Sequence, residues 1–446
     1  MSKTSDYNTC LQAMYGLRRF GIKLGLDTIG GILAGIGDPH KRLNCIHVAG
    51  TNGKGSVASA LSTILYFSGY KVGLYTSPHL VRFNERICIN NRPISDTRVV
   101  ESYLAVHRSC RGLREPTFFE LATAMAFYEF GIQNVDWAVI ETGMGGRLDA
   151  TNIVKPKLSV ITNISLEHRE YLGNTIAEIA GEKGGIIKTG TPAVTAAKQK
   201  TAVRTLDEIA AANNAPLFRF GSDFRVRRNR DKTFNYSGMD TELRHVKAGL
   251  EGAYQTENAA LTIAACEIVN KTSTQIPIEA IRNGLERNKW PGRLEIVSSD
   301  PPVLLDGAHN LPAVRNLARH LKENFGTRSI ALVLGILDDK PYAAMMKTLL
   351  PLCSSLVLTR AVTDRALSVE TLSAAAKPYI SNVTLIDNVR TAVEYAIENA
   401  SPEAMICVAG SLYVVGEAKE ALEKRGIRAF DLADDPKPSK PLTFAA

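Results

Sequence analysis

The sequence predicts an α/β fold, with an N-terminal P-loop-type domain on a doubly wound parallel sheet and a smaller C-terminal Rossmann-like α/β domain. Short apolar runs alternate with helical patterns along most of the chain. A glycine-rich stretch follows the first apolar run, and a polar break interrupts the alternation near residue 300. A chain of 446 residues is long enough for two domains of unequal size.

The first part of the chain supplies the strands of the larger predicted sheet. They are Cys45–Ala49, Lys71–Thr76, Asp136–Glu141, Leu158–Ile164 and Thr191–Thr195. Helical patterns cover Gly55–Gly69, Phe118–Phe130 and Thr175–Ile187. The more polar region 216–250 is interpreted as a hairpin, and a further helix is expected from Asn258 onwards.

The alternation resumes after the break at Ser298–Pro302. The predicted strands of the second sheet are Val303–Asp306, Ile330–Gly335, Ser355–Thr359, Val383–Ile386 and Met405–Ala409. We therefore predict domains at 1–297 and 298–446, ending in a loose tail.

Composition is that of a globular protein, with 45% hydrophobic and 22% charged residues. The seven cysteines show no metal-finger spacing, and the N-terminus lacks a signal-peptide pattern. No apolar run approaches the roughly 18 residues of a membrane span. We expect a reduced, cytoplasmic protein with no membrane partner.

The chain carries a net charge of +8, from 53 basic and 45 acidic residues. No basic stripe with interleaved aromatic residues is present, so nucleic acid is not the expected partner. Small anionic ligands, bearing phosphates or several carboxylates, fit this charge instead.

The stretch "HVAGTNGKGSVASAL", residues 47–61, predicts a phosphate-binding turn between a strand and a helix. Backbone N–H groups and the helix dipole favour an anion there, Lys54 adds a full charge, and Ser56 adds a hydroxyl. The alternative is a glycine-rich turn that only permits tight packing. The stretch departs from the common GxxxxGK[ST] pattern because Gly55 separates Lys54 from Ser56.

Polar side chains follow three predicted strands: Ser77, Glu141 and His168. The carboxyl ends of parallel strands share one edge of a sheet, where open α/β sheets bind ligands. A hydroxyl, a carboxylate and an imidazole beside phosphate predict a Mg²⁺ site. Taken alone, His168 could be an ordinary core or surface histidine, and Glu141 a capping or solvated carboxylate.

Six motifs occur in one order along the chain: "GTNGKGS", "YTSPHL", "ETGMGGRLDATN", "EHREYLG" with "GEKGGIIK", "WPGRLE" and "LDGAHN". Together they resemble the folylpolyglutamate synthase/dihydrofolate synthase family, a branch of the Mur ligase superfamily, from about residue 10 to about residue 420. The resemblance implies an ATP-binding Mur-ligase central-type domain at 1–297 and a C-terminal α/β glutamate-ligase domain at 298–446.

The implied activity is ATP-dependent carboxylate–amine ligation through an acyl phosphate. L-glutamate would be added to dihydropteroate and to folates, with ATP and Mg²⁺ as cofactors and a monomer as the expected state. The alternative that the protein is a folylpolyglutamate synthase only, without activity on dihydropteroate, stays open. A peptidoglycan Mur ligase is disfavoured because about 49 residues precede the loop. A regulatory P-loop NTPase leaves "WPGRLE" and "LDGAHN" unexplained.

The resemblance also implies roles for residues. Implied catalytic residues are Lys54, His168, Lys183 and Arg293, with Lys183 carried as a carbamate. Implied ATP contacts are Asn52, Gly53, Lys54, Gly55, Ser56, Asn258, Arg293 and Asp306. Implied glutamate contacts are His309 and Ser411. Implied pterin or folate contacts are Gly21, Ile22, Lys23, Leu24, Thr117, Phe118, Phe119, Glu120, Leu148, Asp149 and Ala150.

Three positions depart from the family pattern. Glu167 stands where an aspartate usually precedes the histidine, and Lys23 replaces an acidic residue. The "EKAGI" pattern is "EKGGI" here.

Overall fold

The computed structural model describes residues 6–427 apart from 18–20, 22, 24, 273 and 402. Ile22 and Leu24 of the predicted pteroate loop, and the predicted tail, lie outside the described residues. Within the described part, no helix has the length and apolar character needed to cross a membrane.

The strands are β1 (Cys45–Ala49), β2 (Val72–Tyr75), β3 (Ile87–Ile89), β4 (Arg92–Pro93), β5 (Trp137–Glu141), β6 (Leu158–Ile161), β7 (Ala193–Thr195), β8 (Leu217–Arg219), β9 (Arg225–Arg228), β10 (Phe234–Ser237), β11 (Glu242–Val246), β12 (Glu295–Ser299), β13 (Pro302–Asp306), β14 (Ile330–Leu334), β15 (Ser355–Arg360), β16 (Val383–Asn388) and β17 (Met405–Ala409). The helices are α1 (Tyr7–Gly16), α2 (Asp27–Gly35), α3 (Lys54–Phe67), α4 (Asp96–Ser109), α5 (Phe118–Ile132), α6 (Arg169–Leu172), α7 (Ile176–Gly184), α8 (Lys200–Ala212), α9 (Ala253–Asn270), α10 (Ile278–Arg287), α11 (Leu311–Phe325), α12 (Tyr342–Leu349), α13 (Val369–Ala376), α14 (Val389–Asn399) and α15 (Leu412–Lys424).

The first sheet has the order β4-β3-β2-β5-β1-β6-β7-β8. It is parallel from β2 to β8, whereas β3 and β4 pair antiparallel at one edge. Helices cover both faces: Ile46 and Val48 of β1 pack towards α3, α9 and α10, whereas Cys45 packs towards α2, α4 and α5. A strand buried on both sides explains the continuous apolar run of β1.

The second sheet has the order β12-β13-β17-β14-β15-β16. It is parallel except for β12, which pairs antiparallel with β13. The predicted α/β fold class, with a parallel sheet in each part of the chain, is therefore confirmed.

The predicted break at Ser298–Pro302 coincides with the turn of the β12–β13 hairpin, where Ser299 pairs with Pro302. The predicted boundary after residue 297 falls inside β12, which belongs to the second sheet. We propose that the boundary lies ahead of Glu295, which keeps this strand with its sheet.

Most predicted elements agree with the structure to within a few residues. The strand predicted at Leu158–Ile164 ends at Ile161 because the next residues bind the phosphate loop: the Thr162 hydroxyl and the Asn163 side chain donate to the carbonyl of Asn52 at 2.7 and 2.8 Å. Region 216–250 is more than a hairpin, since β8 extends the main sheet and β9 to β11 form a separate antiparallel sheet.

Candidate active site

The phosphate loop, residues 50–53, connects β1 to α3. Its glycines are required by close contacts. A Cβ on Gly50 would lie 1.9 Å from the hydroxyl oxygen of Thr162, and one on Gly53 would lie 2.7 Å from the Asn258 side chain. Gly53 also has a φ of 85°, which side chains disfavour. The loop is therefore held tightly against β6 and α9.

Gly55, the residue that interrupts the common loop pattern, packs against Trp290. A Cβ on Gly55 would lie 2.9 Å from the indole ring. The departure thus has a steric cause: the start of α3 must leave room for the tryptophan of "WPGRLE". The sequence pattern alone gave no sign that these two motifs are in contact.

Two lysines converge on the carbonyl of Gly50. Lys54 Nζ donates to it at 3.1 Å and to the carbonyl of Thr51 at 3.3 Å, while Lys183 Nζ donates to it at 2.9 Å. Lys183 is fully buried and forms an ion pair with Glu167 at 2.8 Å. Burial lowers the pKa of Lys183 although Glu167 opposes this, and Lys183 holds the pKa of Glu167 well below its usual value despite burial.

Ser77, Glu141 and His168 line one cleft together with Lys54. The backbone N–H of Ser77 donates to Glu141 Oε2 at 3.1 Å. Burial raises the pKa of Glu141 to about 7, against the attraction of Lys54. His168 has a left-handed backbone, with φ of 46°, and burial lowers its pKa. The predicted convergence at the carboxyl edge of the sheet is therefore present.

This set can offer a hydroxyl, a carboxylate and an imidazole to a cation. Within the described residues, no group of three or more histidine, cysteine, aspartate or glutamate side chains is arranged to hold a metal ion. Mg²⁺ is compatible with so few protein ligands, because it keeps waters and phosphate oxygens in its coordination sphere.

Arg293, just ahead of β12, and Asp306, at the end of β13 in the second domain, line the same cleft. Asp306 is buried, and its two oxygens accept the N–H groups of Leu294 and Ala308, each at 2.9 Å. Burial raises its pKa while Arg293 opposes the rise. Asp306 therefore joins "WPGRLE" to "LDGAHN" and fixes the backbone beside Arg293.

His309 and Ser411 line the cleft from the second domain. His309 Nδ1 donates to the carbonyl of Gly307 at 2.8 Å, and burial lowers its pKa to about 4. The Ser411 hydroxyl caps α15 by accepting the N–H of Val414 at 3.1 Å. Because the imidazole of His309 is neutral and its Nδ1 carries the proton, its Nε2 can accept a hydrogen bond.

Asn258 and Ser56 face a separate small recess behind the start of α3. Asn258 Nδ2 donates to the Gln255 side chain at 2.8 Å, and Gln255 donates to the Ser56 hydroxyl at 3.2 Å. Their neighbour Asn52 instead spans the domains: Asn310 Nδ2 donates to Asn52 Oδ1 at 2.9 Å. The predicted ATP contacts thus surround the phosphate loop on two sides.

Two carboxylates predicted to contact a pterin, Glu120 and Asp149, carry structural bonds of their own. Glu120 is buried at the start of α5, where it accepts the N–H of Thr117 at 2.8 Å and pairs with Arg114 at 2.7 Å. Asp149 is buried and accepts the N–H of Met144 at 2.8 Å and that of Thr151 at 3.0 Å.

Other members of this set are brought together by the fold. The ring of Phe119 touches Gly143, which lines the cleft, since a Cβ there would lie 2.5 Å from Phe119. Phe118 stacks on Tyr15 with 5.7 Å between ring centroids. The N–H of Gly25 donates to the carbonyl of Leu148 at 3.4 Å.

Sequence reasoning missed two cations that line the cleft, Lys340 and Arg365. They follow the carboxyl ends of β14 and β15. The rule that identified Ser77, Glu141 and His168 in the first sheet, applied to the second, could have found both.

Comparisons with known proteins agree with this geometry. The Mur ligase middle domain matches residues 48–266, and the Mur ligase glutamate ligase domain matches residues 292–412. The dihydrofolate synthase/folylpolyglutamate synthase of Bacillus subtilis is 37% identical over 429 residues, covering 94% of this chain and 99% of the relative.

Two solved structures are similar over nearly their full length. E. coli FolC in complex with DHPP and ADP has a TM-score of 0.88 at 29% identity, covering 95% of this chain and 99% of that one. Mycobacterium tuberculosis folylpolyglutamate synthase complexed with ADP has a TM-score of 0.85 at 32% identity, covering 93% and 98%. This chain therefore belongs to the Mur ligase family, in the branch of the dihydrofolate synthase/folylpolyglutamate synthases.

Proposed function

We propose that this protein is an ATP-dependent ligase that joins L-glutamate to dihydropteroate and, in later rounds, to folates. The observation that carries the proposal is the cleft lined by the phosphate loop, by Glu141, by Arg293 and, from the second domain, by Asp306 and His309. A full-length relative with both activities and ADP-bound structures of the same fold support this assignment.

The reaction has two steps. The substrate carboxylate attacks the γ-phosphorus of ATP, which gives an acyl phosphate and ADP; the amine of glutamate then attacks the acyl carbon, and phosphate leaves. Lys54 and Arg293 neutralise charge that develops on the transferring phosphoryl group, and the loop N–H groups hold the phosphates. Because the cleft has walls from both domains, their approach would exclude water from the acyl phosphate.

Mg²⁺ fits the residues at the sheet edge. Ser77, Glu141 and His168 would hold it, and the raised pKa of Glu141 is what a buried carboxylate without a cation should show. When bound, the ion would neutralise phosphate charge. The chain itself orients the carboxylate of Glu141 through the Ser77 N–H.

Lys183 as a carbamate stays a prediction. In the described structure its Nζ bonds to the Gly50 carbonyl and to Glu167, so the amine ties the phosphate loop to the segment that carries His168. These contacts support a positioning role for the Lys183 amine, whereas an anionic carbamate would lose the ion pair with Glu167.

The proposed activity on dihydropteroate depends on the predicted pterin contacts, which include Asp149 and Phe119. We expect Asp149→Asn to lower kcat/KM for dihydropteroate more than for tetrahydrofolate, because Asp149 accepts the N–H of Met144, next to Gly143 of the cleft wall, and a lost buried acceptor discriminates strongly. Thr151→Val is the matched control: it removes a hydroxyl that donates to Asp149 at 2.5 Å but keeps the carboxylate. Equal effects of the two variants on both substrates would show that Asp149 only supports its loop.

The direct test supplies the purified protein with ATP, glutamate and either dihydropteroate or tetrahydrofolate. Glutamate-dependent ADP release, with a product heavier by one glutamyl residue, is expected from both. Product from tetrahydrofolate alone would reduce the assignment to a folylpolyglutamate synthase. ADP release at the same rate with and without glutamate would contradict the proposed ligase activity.

The proposal includes a monomeric, cytoplasmic enzyme. Every cysteine of the chain lies within the described residues and is a free thiol, as in a reducing compartment.

A further inference from the structure

The second sheet presents polar side chains from neighbouring strands at one edge. His309 follows β13, Ser411 follows β17, Lys340 follows β14, and Arg365 follows β15. These strands are adjacent and parallel in the order β13, β17, β14 and β15. All of these side chains line the cleft that holds the phosphate loop.

Lys340 and Arg365 are held by one carboxylate, Asp339. Lys340 Nζ contacts Asp339 at 2.7 Å, and Arg365 Nη2 contacts its other oxygen at 2.8 Å. The N–H of Asp338 donates to the carbonyl of Arg365 at 2.9 Å, which joins the two loops. One carboxylate therefore holds both cations at the wall of the cleft.

We propose that Arg365 is a specificity-determining residue that binds the side-chain carboxylate of the incoming glutamate, and that Asp339 positions it. This inference rests on the proposed ligase function. The guanidinium has further N–H donors besides the one facing Asp339, and its planar fork matches a carboxylate.

Burial separates the roles of the two cations. The Lys340 side chain is 14% exposed, and its charge acts on both His168 and His309, which places it near the reacting centre. The Arg365 side chain is 51% exposed and lies further out. The amine of glutamate must reach the acyl phosphate, so the adjacent α-carboxylate falls to Lys340 and the more distant side-chain carboxylate to Arg365.

The test compares glutamate-dependent ADP release in wild type, Arg365→Gln and Arg390→Gln. Arg390 is a matched control, since it is 58% exposed, belongs to the same domain and also pairs with a carboxylate. Arg365→Gln should raise KM for glutamate ~10–100-fold, the usual weight of a charged hydrogen bond. KM for ATP and for the folate should not change, and the preference for glutamate over glutamine should shrink.

Asp339→Asn should raise KM for glutamate less than Arg365→Gln does, because the arginine is misplaced rather than removed. An unchanged KM for glutamate in Arg365→Gln would overturn the inference, as would equal rises for ATP and folate. A wild-type protein without glutamate-dependent ADP release would instead refute the proposed function, so the two failures are distinguishable.

Discussion

Buried carboxylates near the cleft perform different tasks. Asp306 and Asp149 accept backbone N–H groups and so fix loops, whereas Glu141 accepts one N–H group, from Ser77, and otherwise faces the cleft. Their residue type does not distinguish these tasks in the sequence, because a carboxylate after a strand can serve either purpose. The carboxylate with a free side is the one suited to a cation.

Lys54→Ala should reduce ligation ~10²–10³-fold, because charge stabilisation of the transferring phosphoryl group is lost. The fold should persist, since Lys54 bonds only to carbonyls of its own loop among the contacts described. Ligation rate and circular dichroism check this, with Lys198→Ala, an exposed lysine paired with Glu257, as the control. Near-normal turnover in Lys54→Ala would remove the loop from the mechanism.

Glu141 predicts a pH-dependent response to Mg²⁺. Its folded pKa of about 7 lies above the ordinary 4.5, so a proton competes with the cation below about pH 7. Half-saturating Mg²⁺ should therefore fall as pH rises through about 7 in wild type, and stay high and flat in Glu141→Gln.

The same shift affects stability without metal. The folded state holds the proton more tightly than the unfolded state, so the metal-free protein should lose stability as pH rises from about 4.5 to about 7. Urea titrations of wild type and Glu141→Gln measure this, with exposed Glu257→Gln as the control. If the free energy of unfolding depended on pH in the same way in wild type and Glu141→Gln, the raised pKa of Glu141 would be contradicted.

At the scale of elements, α5 and α7 begin with the same capping box in different surroundings. Thr117 and Glu120 cap α5 in the core, whereas Thr175 and Glu178 cap α7 at the surface. Glu120 also pairs with Arg114, so its loss would leave more polar groups unpaired than the loss of Glu178.

Glu120→Gln should therefore lower the free energy of unfolding by ~1–3 kcal/mol, the cost of buried unpaired polar groups. Glu178→Gln, the matched change, should cost less because water replaces the lost contact. Urea denaturation of the two variants compares them. Equal losses would mean that burial adds nothing to this cap.

Sequence patterns predicted the elements that are long or buried on both faces. β17 was predicted with its observed bounds because Met405–Ala409 is continuously apolar. β3 and β4 were not predicted, since two or three residues are too few to show alternation, and β12 was missed because polar and apolar residues mix in Glu295–Ser299.

For the site, strand ends identified Ser77, Glu141 and His168 of the first sheet, because topology alone brings them together. Contacts between distant segments could not be predicted in this way. The packing of Gly55 on Trp290 and the pairing of Lys183 with Glu167 depend on side-chain geometry that no local pattern records.

At the scale of the whole molecule, the two domains meet where α15 packs on the loop that carries Ser77. A Cβ on Gly416 of α15 would lie 2.0 Å from the carbonyl oxygen of Leu80. Leu80 is also packed against the apolar core beneath α15. This contact sets the spacing between the second domain and the predicted metal site.

Gly416→Ala should therefore lower kcat and the unfolding temperature, because the backbone of Leu80 cannot move aside without shifting Ser77. Gly181→Ala is the control: it is also helical, has nothing within 4 Å of its Cβ, and should be neutral or stabilise by up to ~1 kcal/mol. Turnover and thermal unfolding separate the two. Wild-type turnover in Gly416→Ala would show that the domain spacing tolerates this shift.

The contact between Leu80 and Gly416 also limits how such enzymes can be recombined. A chimera that joins this N-terminal domain to a C-terminal domain from a relative inherits one side of the contact from each parent. If the incoming helix carries any side chain at the position of Gly416, the donor domain docks displaced, and both halves can be correctly folded in an inactive hybrid. Functional exchange of domains thus requires a glycine at the position of Gly416, because the group that it must clear is a backbone carbonyl, which no substitution of Leu80 removes.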